Sequence, residues 1–233
     1  MNCNALCKCD PGFGGISCAY DGTALASRGA LRKQMCEALL NATRLSDPSS
    51  QLIESMTTSL YQSYTPFEVV DDATRAICSE LLVVLSKSAG KGHMAKELNP
   101  DVPALIAKTV SLFAVGSTDG AGSETTSTHQ QDAINSVGDL QNGLLKSMVG
   151  GQSPTAIISD SVRMATSKTL PSETGGAPLA PPQTEAESTY AAPGPQIILP
   201  KGGLICPSAS PNSYTQLSIM QVKLDMTSSV IAL

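Results

Sequence analysis

The sequence has few charged and few aromatic side chains. Charged residues make up 15% of the 233-residue chain and aromatic residues 3%, and there is no tryptophan. An average globular chain carries about 25% charged residues. The chain can therefore bury an aliphatic core, but that core lacks aromatic bulk. Its length allows one or two domains.

The sequence also lacks basic runs and long apolar runs. Its formal net charge is −5, and nucleic-acid binding requires clustered Lys and Arg to hold the phosphates. The longest apolar run, Leu81 to Leu85, is far shorter than the roughly 20 residues that span a bilayer. We therefore expect no nucleic-acid partner and no direct membrane span.

Motifs of catalysis and metal binding are missing as well. The sequence contains no G-x-S-x-G, no P-loop and no dinucleotide fingerprint. His93 and His129, the only histidines, have no cysteine or second histidine at metal-ligand spacing. Asp71 and Asp72 are interpreted as helix-capping residues rather than as a catalytic carboxylate pair. We predict no catalytic residues, no metal site, no cofactor and no enzymatic activity.

Three regions follow one another along the chain. Residues 1–20 are rich in Cys and Gly, residues 21–150 have helical periodicity, and residues 151–233 contain short strands with irregular connections. The Pro-rich stretch 171–195 is predicted to be a long exposed loop. This order predicts an α+β fold, in which a disulfide-tied helical subdomain precedes a β-rich subdomain with long loops.

Individual elements are predicted from the spacing of apolar residues. The apolar stripe of the first helix is predicted at Leu31, Met35, Ala38 and Leu39. The second helix is expected to begin at Ser46. The second helix is bounded by Pro66, and the fourth follows Asn99-Pro100-Asp101 and reaches Phe113. The other predicted helices cover about 25–44, 70–88 and 128–148, with a loop at 116–127 and strands at 155–158, 162–166, 196–199 and 216–224.

Two cysteines fall within predicted helices. Cys36 and Cys78 lie on the apolar stripes of the first and third helices. We predict a disulfide that ties the first helix to the third, which would contribute about 3–4 kcal/mol in the chain-entropy model. The alternative is two small buried thiols, which are common in protein cores.

Asn41-Ala42-Thr43 is an N-glycosylation sequon near the end of the first predicted helix. In an extracellular protein, Asn41 is a glycan candidate and must face solvent.

Cysteines are concentrated at the start of the chain. The segment Cys7-Lys8-Cys9-Asp10-Pro11-Gly12-Phe13-Gly14-Gly15-Ile16-Ser17-Cys18 resembles the C-terminal half of an EGF-like module, with Phe13 as its core aromatic. The resemblance implies a Cys9–Cys18 disulfide and partners for Cys3 and Cys7 outside the chain. A chance cluster or a metal site is the alternative.

The odd total of seven cysteines bears on location and length. Clustered cysteines are typical of an oxidising compartment, yet the chain starts without a recognisable signal peptide. Cys206 lies in a Gly/Pro/Ser-rich loop, and its partner is expected outside the chain too. We therefore expect an extracellular or cell-surface protein, of which this chain is one piece.

A second resemblance concerns the rest of the chain. The segment 140–154 closes a helix and turns into a strand, and 158–164, 198–200 and 216–224 continue the pattern. This order resembles the GAIN-like module of receptor-for-egg-jelly, polycystin-related and adhesion-type cell-surface proteins, over residues 25–224. That family cleaves itself at His-Leu followed by Ser or Thr. Neither histidine here precedes leucine, so no cleavage residues are assigned.

These resemblances imply a non-enzymatic extracellular structural or adhesion region of a large cell-surface protein, which spaces and docks modules. Its implied partners are other extracellular modules and a polycystin-type channel, on a ciliary or flagellar surface. Two alternatives stay open. One is a subunit of an extracellular filament held by its neighbours. The other is a secreted enzyme with a site assembled from distant residues, including His93 or His129.

Overall fold

The computed structural model describes residues 9–15, 17–68, 71–91, 94, 98–99, 101–115, 124–159, 161–169, 179–185, 189, 215–224 and 227–232. In these residues the helices are α1 (Gly22–Leu45), α2 (Ser50–Ser63), α3 (Asp72–Ala89), α4 (Asp101–Val115) and α5 (Glu124–Ser147). The strands are β1 (Phe13–Gly14), β2 (Tyr20–Asp21), β3 (Gln152–Ile158), β4 (Val162–Thr169), β5 (Thr215–Leu224) and β6 (Thr227–Ala232). The predicted α+β class is confirmed.

Two antiparallel sheets are present in the described residues. The first consists of β1 and β2, and the second has the order β3-β4-β5-β6. Strand β6 was not predicted from the sequence. In the structure it pairs with β5, with Met220 opposite Ile231. The predicted strand 196–199 lies outside the described residues.

The start of α3 is set by a capping side chain. One carboxylate oxygen of Asp71 accepts a hydrogen bond from the backbone N–H of Thr74 at 2.7 Å, and the other accepts one from the Thr74 hydroxyl at 2.7 Å. Burial raises the pKa of Asp71, but these hydrogen bonds outweigh burial and leave the pKa below its ordinary value. The predicted capping role of Asp71 is confirmed.

Two other predicted boundaries are wrong. Ser46 ends α1 instead of starting α2, because its N–H donates to the carbonyl of Ala42. The cap of α2 is Ser49, whose Oγ accepts a hydrogen bond from the N–H of Leu52 at 3.2 Å. The loop predicted at 116–127 is helical from Glu124 onward. Its polar composition favours a loop, but the helix it extends packs against α3, and tertiary packing overrides local propensity.

One apolar core joins the helices to the sheet. Every helix contributes a side chain that is almost fully buried, and so do β3 and β4. These residues are Leu40, Leu60, Leu82, Ile106, Leu140, Ile157, Val162 and Met164. The helical region and the start of the β-rich region therefore exclude water together.

Two of the few aromatic side chains stack in this core. The ring centroids of Tyr64 and Phe113 lie 4.0 Å apart at an interplanar angle of 12°. Burial raises the pKa of Tyr64 to about 12, because the phenolate would lose its hydration. The stack links the end of α2 to α4.

A short segment at Leu179 covers part of the opposite face of the sheet. Ala165 of β4 lies opposite Ile219 of β5, and both pack with Leu179. Because successive side chains of a strand point to opposite faces, Ala165 faces away from Met164 and the helices. Pro181 is also buried. The prediction that 171–195 is an exposed loop is therefore wrong for this segment.

The predicted apolar stripe of α1 is also wrong in most of its residues. Leu31 is 58% exposed, Met35 is 39% exposed and Ala38 is exposed. Leu39 is partly buried against the core, as predicted. The face that turns inward carries Cys36 and Leu40, because Cys36 is bonded to a cysteine in the centre of the core.

Helices α3 and α5 cross at two glycines. A Cβ at Gly143 would lie 2.3 Å from the Cα of Gly90, and a Cβ at Gly90 would lie 2.5 Å from the carbonyl oxygen of Asp139. No side chain fits between these backbones. The close packing of the two helices thus depends on glycine at both positions.

We expect Gly143→Ala to lower the free energy of unfolding by about 1–3 kcal/mol, because the backbones must separate. Gly138→Ala is the matched control, since nothing lies within 4 Å of the added Cβ in the same helix. It should raise the free energy of unfolding by about 0.5–1 kcal/mol through helix propensity. Urea unfolding measures both variants, and equal stabilities would contradict the close crossing.

A buried hydroxyl pair fixes the β3–β4 turn to α4. The Oγ atoms of Ser111 and Ser159 lie 2.9 Å apart. Ser159 Oγ accepts a hydrogen bond from the N–H of Val162 at 3.1 Å, and Ser111 Oγ accepts one from the N–H of Ser161 at 3.1 Å. The turn therefore has a fixed position on the helix that carries Ser111.

Replacing either serine by alanine should destabilise the protein by about 1–3 kcal/mol, because buried partners lose a hydrogen bond. The double variant Ser111→Ala/Ser159→Ala should cost less than the sum of the single variants, since the two hydroxyls interact. A double-mutant cycle by thermal or urea unfolding tests this coupling. Strict additivity would show that the hydroxyls act independently.

Candidate functional site

The N-terminal described segment is a small disulfide-bonded loop. The structure joins Cys9 to Cys18, the pair that the EGF-like resemblance implies. Gly12 and Gly15 have φ angles of 90° and 84°, a region that favours glycine. The glycine positions of the motif are therefore explained by the backbone of the loop.

The aromatic side chain that supports this loop is Tyr20 instead of Phe13. Phe13 is 53% exposed, which contradicts the core position predicted for it. A Cβ at Gly15 would lie 2.6 Å from the Tyr20 ring, and one at Gly14 would lie 2.6 Å from a methyl carbon of Leu25. Tyr20 and Leu25 thus lie directly against the loop backbone.

Four side chains connect this loop to the helices, and we call them the junction: Tyr20, Arg28, Arg32 and Glu68. The guanidinium carbon of Arg28 lies 4.3 Å from the centroid of the Tyr20 ring, a cation–π geometry. Nε of Arg28 also donates a hydrogen bond to Oε2 of Glu68 at 2.8 Å. Arg28 therefore links β2 to the short 3₁₀ turn Pro66–Glu68.

Glu68 is the centre of the junction. Arg32 donates to its Oε2 from Nε at 2.9 Å and also from a terminal guanidinium nitrogen. The carboxylate side chain is only 8% exposed. Burial raises the pKa of Glu68, but the hydrogen bonds and charges of Arg28 and Arg32 outweigh burial and hold the pKa below its ordinary value. The carboxylate therefore stays ionised at neutral pH.

We expect Glu68→Gln to lower the free energy of unfolding by about 1.5–3 kcal/mol, because charge-assisted hydrogen bonds weaken in a buried position. The matched control is Glu80→Gln. A terminal guanidinium nitrogen of Arg44 lies 2.7 Å from Oε1 of Glu80, but the side chains of Glu80 and Arg44 are 52% and 59% exposed. Exposed pairs contribute only about 0–1 kcal/mol.

The stabilisation by Glu68 also depends on pH. Its pKa in the folded protein is lower than the ordinary value of 4.5. The stabilisation is therefore complete above that value and is lost as the pH falls through the folded-state pKa. The difference in stability between wild type and Glu68→Gln should shrink under acid conditions. A difference independent of pH would contradict an ionised Glu68.

The second disulfide joins α1 to α3. Cys36 and Cys78 are bonded, with a sequence separation of 42 residues. Their side chains are 1% and 0% exposed. The bridge therefore encloses α2 and the junction residue Glu68 within one covalent loop.

Asn41 is exposed near the end of α1, as the predicted glycan candidate requires. Within its sequon, the Thr43 hydroxyl donates to the carbonyl of Leu40 at 2.7 Å.

The other predicted site residues are not described. Cys3, Cys7, Cys206 and His93 lie outside the described residues. His129 lies in α5, but its side chain is outside them. The partners of these cysteines and the alternative of an assembled enzyme site stay predictions.

A cavity of about 620 Å³ lies between α4, α5 and β3. Asp101 is the charged side chain among its described lining residues. Two further polar lining groups already serve local structure, since Ser147 Oγ donates to the carbonyl of Leu144 and Gln152 Oε1 accepts from the N–H of Val149. The described lining thus brings together no acid–base pair for catalysis.

The described residues show neither a grouped metal-ligand set nor a membrane-spanning helix. In the part of the chain that the structure describes, no three His, Cys, Asp or Glu side chains are grouped to hold a metal ion. Across the same residues, no helix combines the length and the apolar character needed to cross a bilayer.

The junction was not predicted from the sequence. Glu68 is separated from Arg28 and Arg32 by 40 and 36 positions, and no motif connects them. The available signal was the pair of arginines four residues apart, which places both on one face of α1. A single glutamate that lies far away in the sequence forms no pattern with these arginines.

No protein-family model matches the chain, and no curated protein matches it either. The EGF-like and GAIN-like resemblances therefore stay predictions that rest on the residues quoted for them.

Proposed function

We propose that this chain is a non-enzymatic extracellular region of a larger cell-surface protein, where it spaces and docks neighbouring modules. The function requires a segment that keeps its length and holds the relative position of the elements at its ends. No chemistry is required of it.

The observation that carries the proposal is the Cys36–Cys78 bridge together with the junction at Glu68. The bridge ties α1 to α3 inside the core, and Arg28 and Arg32 hold the 3₁₀ turn between these helices against α1. A force applied to the N-terminal loop is therefore resisted first by the ionic contacts of Glu68 and then by the Cys36–Cys78 disulfide.

The two disulfides also support the extracellular location, because disulfides persist in oxidising compartments. The resemblance to polycystin-related proteins makes other extracellular modules and a polycystin-type channel the partners of this proposal. The same resemblance suggests a ciliary or flagellar surface as its place.

Single-molecule stretching of the full chain between its ends tests the load-bearing role. The folded chain should keep its length until one rupture event. The segment between Cys36 and Cys78 should then stay unextended, because the disulfide bypasses it. Removing the bridge should add about 140 Å of contour length, from a 42-residue separation at roughly 3.3–3.6 Å per residue.

The variant Cys36→Ala/Cys78→Ala provides the comparison, and Glu80→Gln is a surface control that should leave the rupture force unchanged. The bridge-less variant should rupture at lower force and lose about 3–4 kcal/mol of stability. Gradual extension of the wild-type chain at low force, without a rupture event, would contradict a spacing function.

A further inference from the structure

Helix α1 carries a second apolar face, directed to solvent. Leu31 and Leu45 are 58% and 87% exposed, Met35 is 39% exposed and Ala38 is exposed. These positions recur at steps of four, three and seven residues, which places them on one side of a helix. The core-facing Cys36 and Leu40 lie on another side.

This face is long enough to need an explanation. Leu31 and Leu45 are separated by about 21 Å along the axis at roughly 1.5 Å per residue. Single exposed apolar residues are common, but several of them along one side of a helix mark an interaction surface or an aggregation hazard. Something is expected to cover it.

The residue placed to cover it is Asn41. It is exposed and lies three residues after Ala38 and four before Leu45, so it neighbours both on the helix surface. It is also the acceptor position of the sequon Asn41-Ala42-Thr43. An N-linked glycan is bulky and solubilising, and it would start beside the strip.

We propose that Asn41 carries an N-linked glycan that shields the apolar face formed by Leu31, Met35, Ala38 and Leu45. The inference rests on the extracellular location proposed above. The sugar donor is a lipid-linked oligosaccharide diphosphate. The side-chain nitrogen of Asn41 forms a C–N bond to the anomeric carbon of the sugar, the C–O bond to the lipid diphosphate breaks, and the nitrogen releases one proton.

The hydroxyl of the sequon is part of the helix in the folded protein. In α1 the Thr43 hydroxyl donates to the carbonyl of Leu40 at 2.7 Å, so it is engaged within the helix instead of with Asn41. The exposed position of Asn41 keeps the sugar outside the folded protein.

The first experiment measures occupancy. The full chain is secreted from eukaryotic cells behind a cleavable export signal, and its intact mass is compared before and after peptide N-glycosidase. We expect a mass loss for wild type and for Thr43→Ser, which keeps the sequon, and none for Thr43→Ala. A secreted, disulfide-bonded wild type with no glycan would overturn the inference but leave the proposed function intact. Failure to form the disulfides in that compartment would count against the extracellular location itself.

The second experiment measures shielding. Three proteins are compared by binding of the apolar dye ANS and by light scattering. They are wild type, Asn41→Gln, and a triple variant that combines Asn41→Gln with Leu31→Ser and Met35→Ser. Asn41→Gln should bind more dye and self-associate, and the two serines should reverse both changes. Identical behaviour of glycosylated wild type and Asn41→Gln would overturn shielding. A glycosylated dimer that dissociates on Leu31→Ser would assign the face to a second copy instead.

Discussion

The disulfide between Cys36 and Cys78 determines which side of α1 faces the core. Both cysteines are almost fully buried, so the bond requires α1 to present Cys36 to α3. Leu40, one helical turn further on, then enters the same core. The opposite side of the helix, with Leu31 and Met35, faces solvent as a consequence. The junction and the exposed position of Asn41 both depend on this orientation.

With α1 oriented in this way, Arg28 and Arg32 reach the single carboxylate of Glu68. Two cations against one buried anion leave the carboxylate well paired, and they hold its pKa low although burial acts in the opposite direction. Arg28 extends the contact to the ring of Tyr20. The N-terminal disulfide loop is thereby connected to the helices by an electrostatic path that acid weakens.

The helices and the sheet are also joined, by apolar contact and by hydroxyl groups. Ile157, Val162 and Met164 belong to the helical core, and the Ser111–Ser159 pair fixes the β3–β4 turn on α4. Such contacts run from the helical region into the sheet without a break. This continuity supports the proposal of a spacer that acts as one unit, because a load on one element is shared by its neighbours.

The local sequence was sufficient for the α+β class, for most helices and for the cap at Asp71. Periodicity and capping are short-range signals, which is why these features could be predicted. The Cys9–Cys18 pair was implied by the EGF-like resemblance, and the Cys36–Cys78 bridge was predicted with two buried thiols as the alternative. It could not determine the inward face of α1, the junction at Glu68 or the burial of Leu179. Each of these depends on a partner far away in the chain. A helix with apolar residues on two sides has no preferred face until a distant residue such as Cys78 selects one, and only the tertiary structure brings that residue into contact.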